Sequence, residues 1–186
     1  MKAYTGVGSR ETPEEIMLLM TKLSAKLEAQ GWTLRSGAAD GADTGFESGV
    51  SNPENKEIFI AWNGFSGRKE TEEGVYCLKG EIAQQSELIA AEVHPAWDRL
   101  SRGARGLHSR NCFQVLGSDL SSPSKFLVCW AQIDKHGVPK GGTRTAWVLA
   151  TQNNIPCYNL IIPEHLERIS KYLEEVQCHN SLLLKC

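Results

Sequence analysis

Three glycine-containing segments hold the residue types best suited to binding chemistry. They are Gly6-Val7-Gly8-Ser9-Arg10, Ser36-Gly37-Ala38-Ala39-Asp40-Gly41-Ala42-Asp43 and Pro139-Lys140-Gly141-Gly142-Thr143-Arg144-Thr145. Each follows a strand-like run and precedes a helix-like run, so backbone N–H groups and the positive end of a helix would face whatever lies above the turn. That combination favours an anion such as phosphate. A single Gly-x-Gly turn also serves ordinary tight connections between a strand and a helix, and this alternative stays open at each turn.

The recurrence of the pattern strengthens the binding interpretation. The carboxyl ends of parallel strands meet at one edge of an open sheet, and such sheets bind their ligands at that edge. Three turns of this kind would therefore gather in one place. We predict one composite pocket.

Two carboxylates stand close to the second turn. Asp43 and Glu47 are four residues apart on a predicted helix and would share a face. A carboxylate there accepts hydrogen bonds from ribose hydroxyls or supports an oxocarbenium-like centre in glycoside hydrolysis. Alternatively, the acids only complement the helix dipole, which accounts for Asp40 and Asp43 better than for Glu47.

The one clear basic cluster lies between residues 94 and 111. It contains four arginines, one acid, and tryptophan and histidine rings: Arg99, Arg102, Arg105 and Arg110, then Asp98, then Trp97, His94 and His108. A guanidinium group donates two hydrogen bonds at once to phosphate or to a planar ligand. The alternative is a solvated helical face paired with nearby carboxylates. We expect Arg110 to lie at the pocket rim, so that its replacement by Ala removes ligand binding at little cost in stability.

Length and composition limit the possibilities. A chain of 186 residues, 41% hydrophobic and 23% charged, fits one globular domain with a single sizeable core. The net charge of −2 predicts no general affinity for nucleic acid or anionic membranes. The six cysteines are Cys77, Cys112, Cys129, Cys157, Cys178 and Cys186. They form no Cys-x-x-Cys pair, so we expect reduced packing residues, no metal site and a cytoplasmic protein without a membrane span.

The elements that must position these residues alternate along the chain. Strand-like runs start the chain before Gly6 and recur at 32–35, 56–61, 124–130 and 155–160, and helix-like runs cover 13–30, 40–50, 81–93, 107–116, 143–153 and 163–177. Strand, helix and strand within about 35 residues is the βαβ unit of a parallel sheet. Thr12 is the predicted N-cap of the first helix. Residues 62–73 form a polar connection that either closes over the pocket or simply varies on the surface.

The order of the motifs resembles a known family. With Ser109-Arg110-Asn111 placed between the second and third glycine segments, the chain resembles the Rossmann-like core of the DNA-processing protein A family, within the wider SLOG superfamily. The likeness spans roughly residues 1 to 160 and is greatest for short, stand-alone members often encoded by bacteriophages. It implies an α/β fold of three layers, αβα, with a mostly parallel sheet of about five strands. One domain would cover residues 1–186, with a peripheral helix and tail from about residue 163.

The chain also departs from the relatives within that superfamily. Lonely-Guy phosphoribohydrolases carry a Pro-Gly-Gly-x-Gly-Thr-x-x-Glu loop whose glutamate acts on the N-glycosidic bond. Here Arg144 replaces a glycine of that loop, and neither Trp147 nor Val148 can perform acid–base chemistry. The recombination mediators usually carry additional domains, for which the chain has no room. Whether the protein is an enzyme therefore stays open.

Three functions follow as expectations. The first is binding of a nucleotide or nucleotide-derived signal molecule, which in a phage setting would sequester a defence signal. The second is N-glycoside hydrolysis of a nucleotide, with Asp43 or Glu47 as the catalytic carboxylate. The third is binding of single-stranded DNA, with Trp97 in the arginine cluster as the stacking platform. We expect no cofactor, a homo-oligomer, and ligand contacts from Gly8, Ser9, Arg10, Ser36, Gly37, Ala38, Asp40, Asp43, Arg110, Asn111, Gly141, Gly142, Thr143 and Arg144.

Overall fold

A six-stranded, fully parallel sheet forms the centre of the protein. The computed structural model describes residues 2–175. The strands are β1 (Ala3–Gly8), β2 (Thr33–Ser36), β3 (Lys56–Phe59), β4 (Val75–Tyr76), β5 (Leu127–Trp130) and β6 (Cys157–Asn159). Their order across the sheet is β4-β3-β2-β1-β5-β6, and every pairing is parallel.

Helices cover both faces of the sheet. They are α1 (Glu14–Ala29), α2 (Ala42–Glu47), α3 (Gly80–Val93), α4 (Arg102–Leu116), α5 (Thr143–Gln152) and α6 (Pro163–Glu174). Helix α1 packs against α2 and α6, whereas α4 packs against α3 and α5. The two sets form the outer layers of an αβα sandwich, so the predicted α/β fold with a parallel sheet is confirmed.

Each face of the sheet has its own apolar core. Tyr4, Leu34 and Phe46 belong to the core under α1 and α2, and Val7 and Cys129 belong to the core under α4 and α5. Strands buried on both faces read as continuous apolar runs, which is why the β5 sequence could be recognised. Because consecutive residues of a strand face opposite sides, β1 contributes to both cores.

Several local expectations were wrong in detail. Strand β4 was missed because it has only two residues, in the short apolar run 75–78. Helix α4 begins at Arg102 rather than near 107, with the Ser101 hydroxyl accepting a hydrogen bond from the Ala104 N–H at 3.2 Å. Thr12 is not the N-cap of α1, because Pro13 holds that position and no side chain among residues 2–175 caps the helix; the Thr12 hydroxyl donates to the Ser9 carbonyl at 2.7 Å.

Other predictions lie partly outside the described residues. The last helix ends at Glu174 in the structure, whereas the sequence predicts helix to 177, and the predicted tail lies beyond residue 175 together with Cys178 and Cys186. Cys77, Cys112, Cys129 and Cys157 carry free thiols, as predicted. Among residues 2–175, no helix is both long enough and apolar enough to cross a bilayer.

The direction of the strand order changes at β1. From β1 the chain moves outward through β2, β3 and β4, and it then returns to add β5 on the other side of β1. The connections that leave β1 and β5 therefore diverge to opposite faces of the sheet. The crevice at such a switch point is where open α/β sheets bind ligands.

Candidate functional site

A cavity of about 600 Å³ lies at this switch point. Residues after β1 and β5 line it, together with one flank of α4 and the start of α5. The predicted ligand-binding residues that it brings together are Gly8, Ser9, Arg10, Asp43, Arg110, Asn111, Gly141, Gly142 and Thr143. Segments far apart in sequence thus meet at one opening.

A buried ion pair forms the inner wall of the cavity. Arg110 Nη1 donates to Asp43 Oδ2 at 3.3 Å, and the same carboxylate oxygen accepts the Ala39 N–H at 3.3 Å. Burial raises the pKa of the Asp43 carboxyl, and the charge of Arg110 opposes that rise. The expectation that Arg110 is a rim residue was wrong, because only 7% of its surface is exposed.

Gly37 and Gln114 hold the Arg110 guanidinium in place. A Cβ atom added at Gly37 would lie 1.1 Å from Arg110 Nη1, so only glycine leaves room for this side chain. With its amide oxygen turned towards the pair, Gln114 accepts from Arg110 Nη1 at 2.7 Å and from the Gly37 N–H at 3.0 Å. In this orientation the Gln114 amide also donates to Asn111 Oδ1 at 3.0 Å. Gly37 therefore supports the site from behind and does not line it.

Two backbone donors of the first glycine turn are used within the protein. The Ser9 N–H donates to the Trp130 carbonyl at 2.8 Å, and the Glu11 N–H donates to the Ser9 hydroxyl at 3.1 Å. Of the backbone donors expected from the Gly8–Arg10 turn, the Ser9 N–H is therefore not available to phosphate, whereas the Arg10 N–H has no partner within residues 2–175. Arg10 is exposed at the mouth of the cavity and supplies a cation.

The glycine pair after β5 keeps its donors available. Within residues 2–175, the N–H groups of Gly141 and Gly142 have no hydrogen-bond partner. They precede the first turn of α5, where the helix dipole favours an anion. Asn111 Nδ2 donates to the Gly142 carbonyl at 2.9 Å and so ties this loop to α4. The arrangement is suited to a phosphate oxygen.

Other predicted site residues lie elsewhere. The Ser36 hydroxyl is buried and donates to the Gly6 carbonyl at 2.7 Å. Ala38, Asp40 and Glu47 line a separate cavity of about 440 Å³. Arg144 pairs with Asp134 at 2.9 Å.

Glu47 is fully engaged in ion pairs. Its carboxylate accepts from Lys56 Nζ at 2.9 Å and from Arg68 Nη1 at 2.8 Å. It stands outside the first cavity, so it is not placed to serve as the catalytic carboxylate there. Asp43 is the candidate carboxylate that the structure brings into the cavity.

His108, expected only as part of the basic cluster and not as a ligand contact, lines the first cavity. Its Nδ1 lies 2.7 Å from Thr145 Oγ1, and its ring centroid lies 4.4 Å from that of His94. Burial, with smaller contributions from the charges of His94 and Arg110, lowers the pKa of His108 to about 4. Gln114 and Lys140 also line the cavity. Helical spacing from Asn111 would have found Gln114, and adjacency to the glycine pair would have found Lys140.

The arginines of the basic cluster do not form one surface. Arg110 is buried with Asp43, and the Arg105 guanidinium lies over the Trp97 ring at 5.5 Å. Because Arg105 covers one face of Trp97, that ring is less open as a stacking platform for single-stranded DNA than the sequence suggested. Arg102 and Arg105 instead line a second cavity, on the other side of α4.

The connection at 62–73 is anchored beside the site. Phe65 is buried with its ring 5.7 Å from the Arg110 guanidinium carbon, and Arg68 pairs with Glu47 and Glu72. No residue of this connection lines the first cavity. In residues 2–175, no group of three or more His, Cys, Asp or Glu side chains could hold a metal ion.

Comparisons with known proteins give a distant structural neighbour. No protein-family model and no curated protein matches the chain. A solved structure of DNA processing protein A from Helicobacter pylori, described for its unique single-stranded DNA binding mode, is similar with a TM-score of 0.37 and 12% sequence identity. The alignment covers 93% of this chain and 80% of that chain. At this distance the family and superfamily assignment stays a prediction from the motifs.

Proposed function

We propose that the protein binds a nucleotide, with its phosphate held by the Gly141–Gly142 loop in the first cavity. The observation that carries the proposal is the pair of unpartnered N–H groups on this loop, which opens into a cavity at the switch point. Backbone donors that precede a helix are a common way of binding phosphate. Arg10 and Lys140 add positive charge along the lining.

The rest of the cavity offers groups for the sugar and base. Asp43 Oδ2 already accepts two protein hydrogen bonds, which leaves the other carboxylate oxygen to accept from a ribose hydroxyl. His108 is neutral near pH 7, because its pKa is about 4, and can donate or accept a hydrogen bond without adding charge. A phosphorylated ligand with a hydroxylated sugar fits this set of groups.

Calorimetric titration with the common ribonucleoside 5′-monophosphates tests the proposal. We expect saturable binding that Arg10→Ala weakens, because this exposed arginine lines the cavity mouth. Arg99→Ala is the matched control, since Arg99 is also exposed but lines neither cavity beside α4. Absence of binding, or equal loss in both variants, would overturn the proposal.

Hydrolysis of an N-glycosidic bond is a second candidate function. The position of Asp43 supports this function, because its carboxyl group lines the cavity. Burial also raises the pKa of this carboxyl towards the range useful for acid–base catalysis. Incubation with the same nucleotides, followed by chromatography, would reveal released base. Binding of a nucleotide without release of its base would exclude hydrolysis and support binding alone.

A further inference from the structure

A second cavity, of about 980 Å³, lies across α4 from the first. Helix α4 forms the wall between the two cavities. Ala104, Leu107 and Asn111 face the first cavity, whereas Gly103 and Gly106 face the second. Arg110 lines both, so the two spaces are neighbours on the same edge of the sheet.

The second cavity contains both exposed large aromatic side chains of residues 2–175. Trp62 is 45% exposed and Tyr76 is 39% exposed. Each is supported from the protein side: the Trp62 ring meets Phe65 edge to face at 5.1 Å, and the Tyr76 ring lies 5.7 Å from that of Phe59. Aromatic rings held at the wall of an open cavity are suited to stacking on a flat ligand.

Charge in this cavity favours an anionic ligand. Arg102 and Arg105 line it, and Glu87 is the acid among the lining residues, whereas the charge of Arg110 is paired with Asp43. Arg105 Nε is buried without a hydrogen-bond partner in residues 2–175. A nucleobase attached to a phosphate would satisfy both the aromatic and the cationic lining.

Near its start, α4 presents two glycines to the second cavity. A Cβ atom added at Gly103 would meet nothing within 4 Å, and one added at Gly106 would meet only Ala61 Cβ at 3.8 Å. Without side chains at these positions, a ligand can extend over the helix from one cavity to the other.

We propose that the second cavity holds a nucleobase, so that the ligand is a two-base nucleotide whose phosphate occupies the first cavity. This inference rests on the proposed function and specifies its ligand class. Trp62 and Tyr76 supply the stacking surface, and Arg102 and Arg105 supply positive charge next to the base.

The test compares one base with two. Wild-type protein is titrated with each ribonucleoside 5′-monophosphate and with the matching 5′-phosphorylated homodinucleotide. We expect the dinucleotide to bind roughly 5- to 100-fold more tightly, as one additional base stacked on an aromatic side chain would contribute. Trp62→Ala should remove most of that gain without changing mononucleotide affinity, and Trp62→Phe should retain much of it. Leu88→Ala, which alters another exposed side chain that lines neither cavity, is the control.

The outcomes separate the two proposals. An unchanged dinucleotide advantage in Trp62→Ala overturns the second base site while leaving mononucleotide binding in the first cavity intact. Failure of mononucleotides and dinucleotides alike to bind wild-type protein overturns both proposals. A single strand of ten nucleotides that binds more than roughly tenfold tighter than the dinucleotide also overturns the two-base ligand, because each further stacked base would then add affinity.

Discussion

Arg110 Nη1 lies 3.3 Å from Asp43 Oδ2, and the two side chains are only 7% and 4% exposed. The pair joins α4 to α2 across the carboxyl edge of the sheet. A charge pair this deeply buried contributes less to net stability than its Coulomb energy suggests, because both groups lose hydration. Its disruption is costly, since the remaining charge has no compensating partner.

Replacement of Arg110 by Ala should therefore destabilise the fold. We expect a loss of about 3–5 kcal/mol in the free energy of unfolding, measured by urea denaturation at pH 7, because Asp43 is left buried and unpaired. Arg99→Ala, at an exposed site, should change that free energy by less than about 0.5 kcal/mol. Equal stability of the two variants would contradict a structural role for the pair.

The pH dependence of the same variant gives an independent check. A native pKa raised above the unfolded value of 3.8 means that the folded protein binds the proton more tightly than the unfolded chain. The stabilisation that Asp43 contributes to the free energy of unfolding is therefore present below pH 3.8, and it is lost as the pH rises through the native pKa. Removal of the opposing Arg110 charge should strengthen this loss, and a second change, Asp43→Asn, should abolish it.

Gly37→Ala tests the close approach of the backbone to Arg110. A Cβ atom 1.1 Å from Arg110 Nη1 forces the guanidinium to move, so we expect a destabilisation of about 1–3 kcal/mol and weaker nucleotide binding. The matched control is Gly106→Ala within α4, where the new methyl group has space and improved helix propensity should stabilise by up to ~1 kcal/mol. Thermal unfolding of the two variants should move in opposite directions. An unaltered midpoint for Gly37→Ala would contradict the close contact between Gly37 and Arg110.

His108 should remain neutral well below neutral pH. Its native pKa of about 4 lies below the reference value of 6.5, so the unfolded chain takes up the proton first as the pH falls. The stability from neutral His108 is present above pH 6.5 and is lost as the pH falls through about 4. NMR titration should give its imidazole a midpoint near 4, and His108→Gln should flatten the pH dependence of unfolding in this range. A midpoint close to 6.5 would contradict the buried environment.

Asn111→Ala should loosen the Gly141–Gly142 loop. The variant loses the hydrogen bond from Asn111 Nδ2 to the Gly142 carbonyl, so we expect nucleotide affinity to fall roughly 3- to 10-fold, the equivalent of one hydrogen bond. Asn153→Ala removes a comparable bond, from Asn153 Nδ2 to the Leu149 carbonyl at 2.8 Å, at the opposite end of α5. Calorimetry should show an affinity loss in the first variant only. Equal affinities would mean that the loop does not depend on this tie.

Periodicity and turn residues were sufficient to predict the parallel α/β fold and most element positions. The helical spacing of apolar residues and the continuous apolar run of β5 at 127–130 are local patterns, so they can be recognised directly in the sequence. Short elements were harder to predict from the sequence. The two residues of β4 acquire strand geometry only by pairing with β3, so they carry no periodic signal of their own.

The sequence by itself determined which turns carry glycine and which residues bear charge, because these are properties of single positions and their neighbours. Only the tertiary structure decided how they are used: Arg110 is buried with Asp43, Glu47 is held by Lys56 and Arg68, and the Ser9 N–H is bonded to β5. The physical reason is that burial and pairing depend on which distant segments the sheet order brings together. The strand order brings the first turn and the Gly141–Gly142 loop to one cavity but leaves Ala38 and Asp40 of the second glycine segment in another, a division that no local pattern specifies.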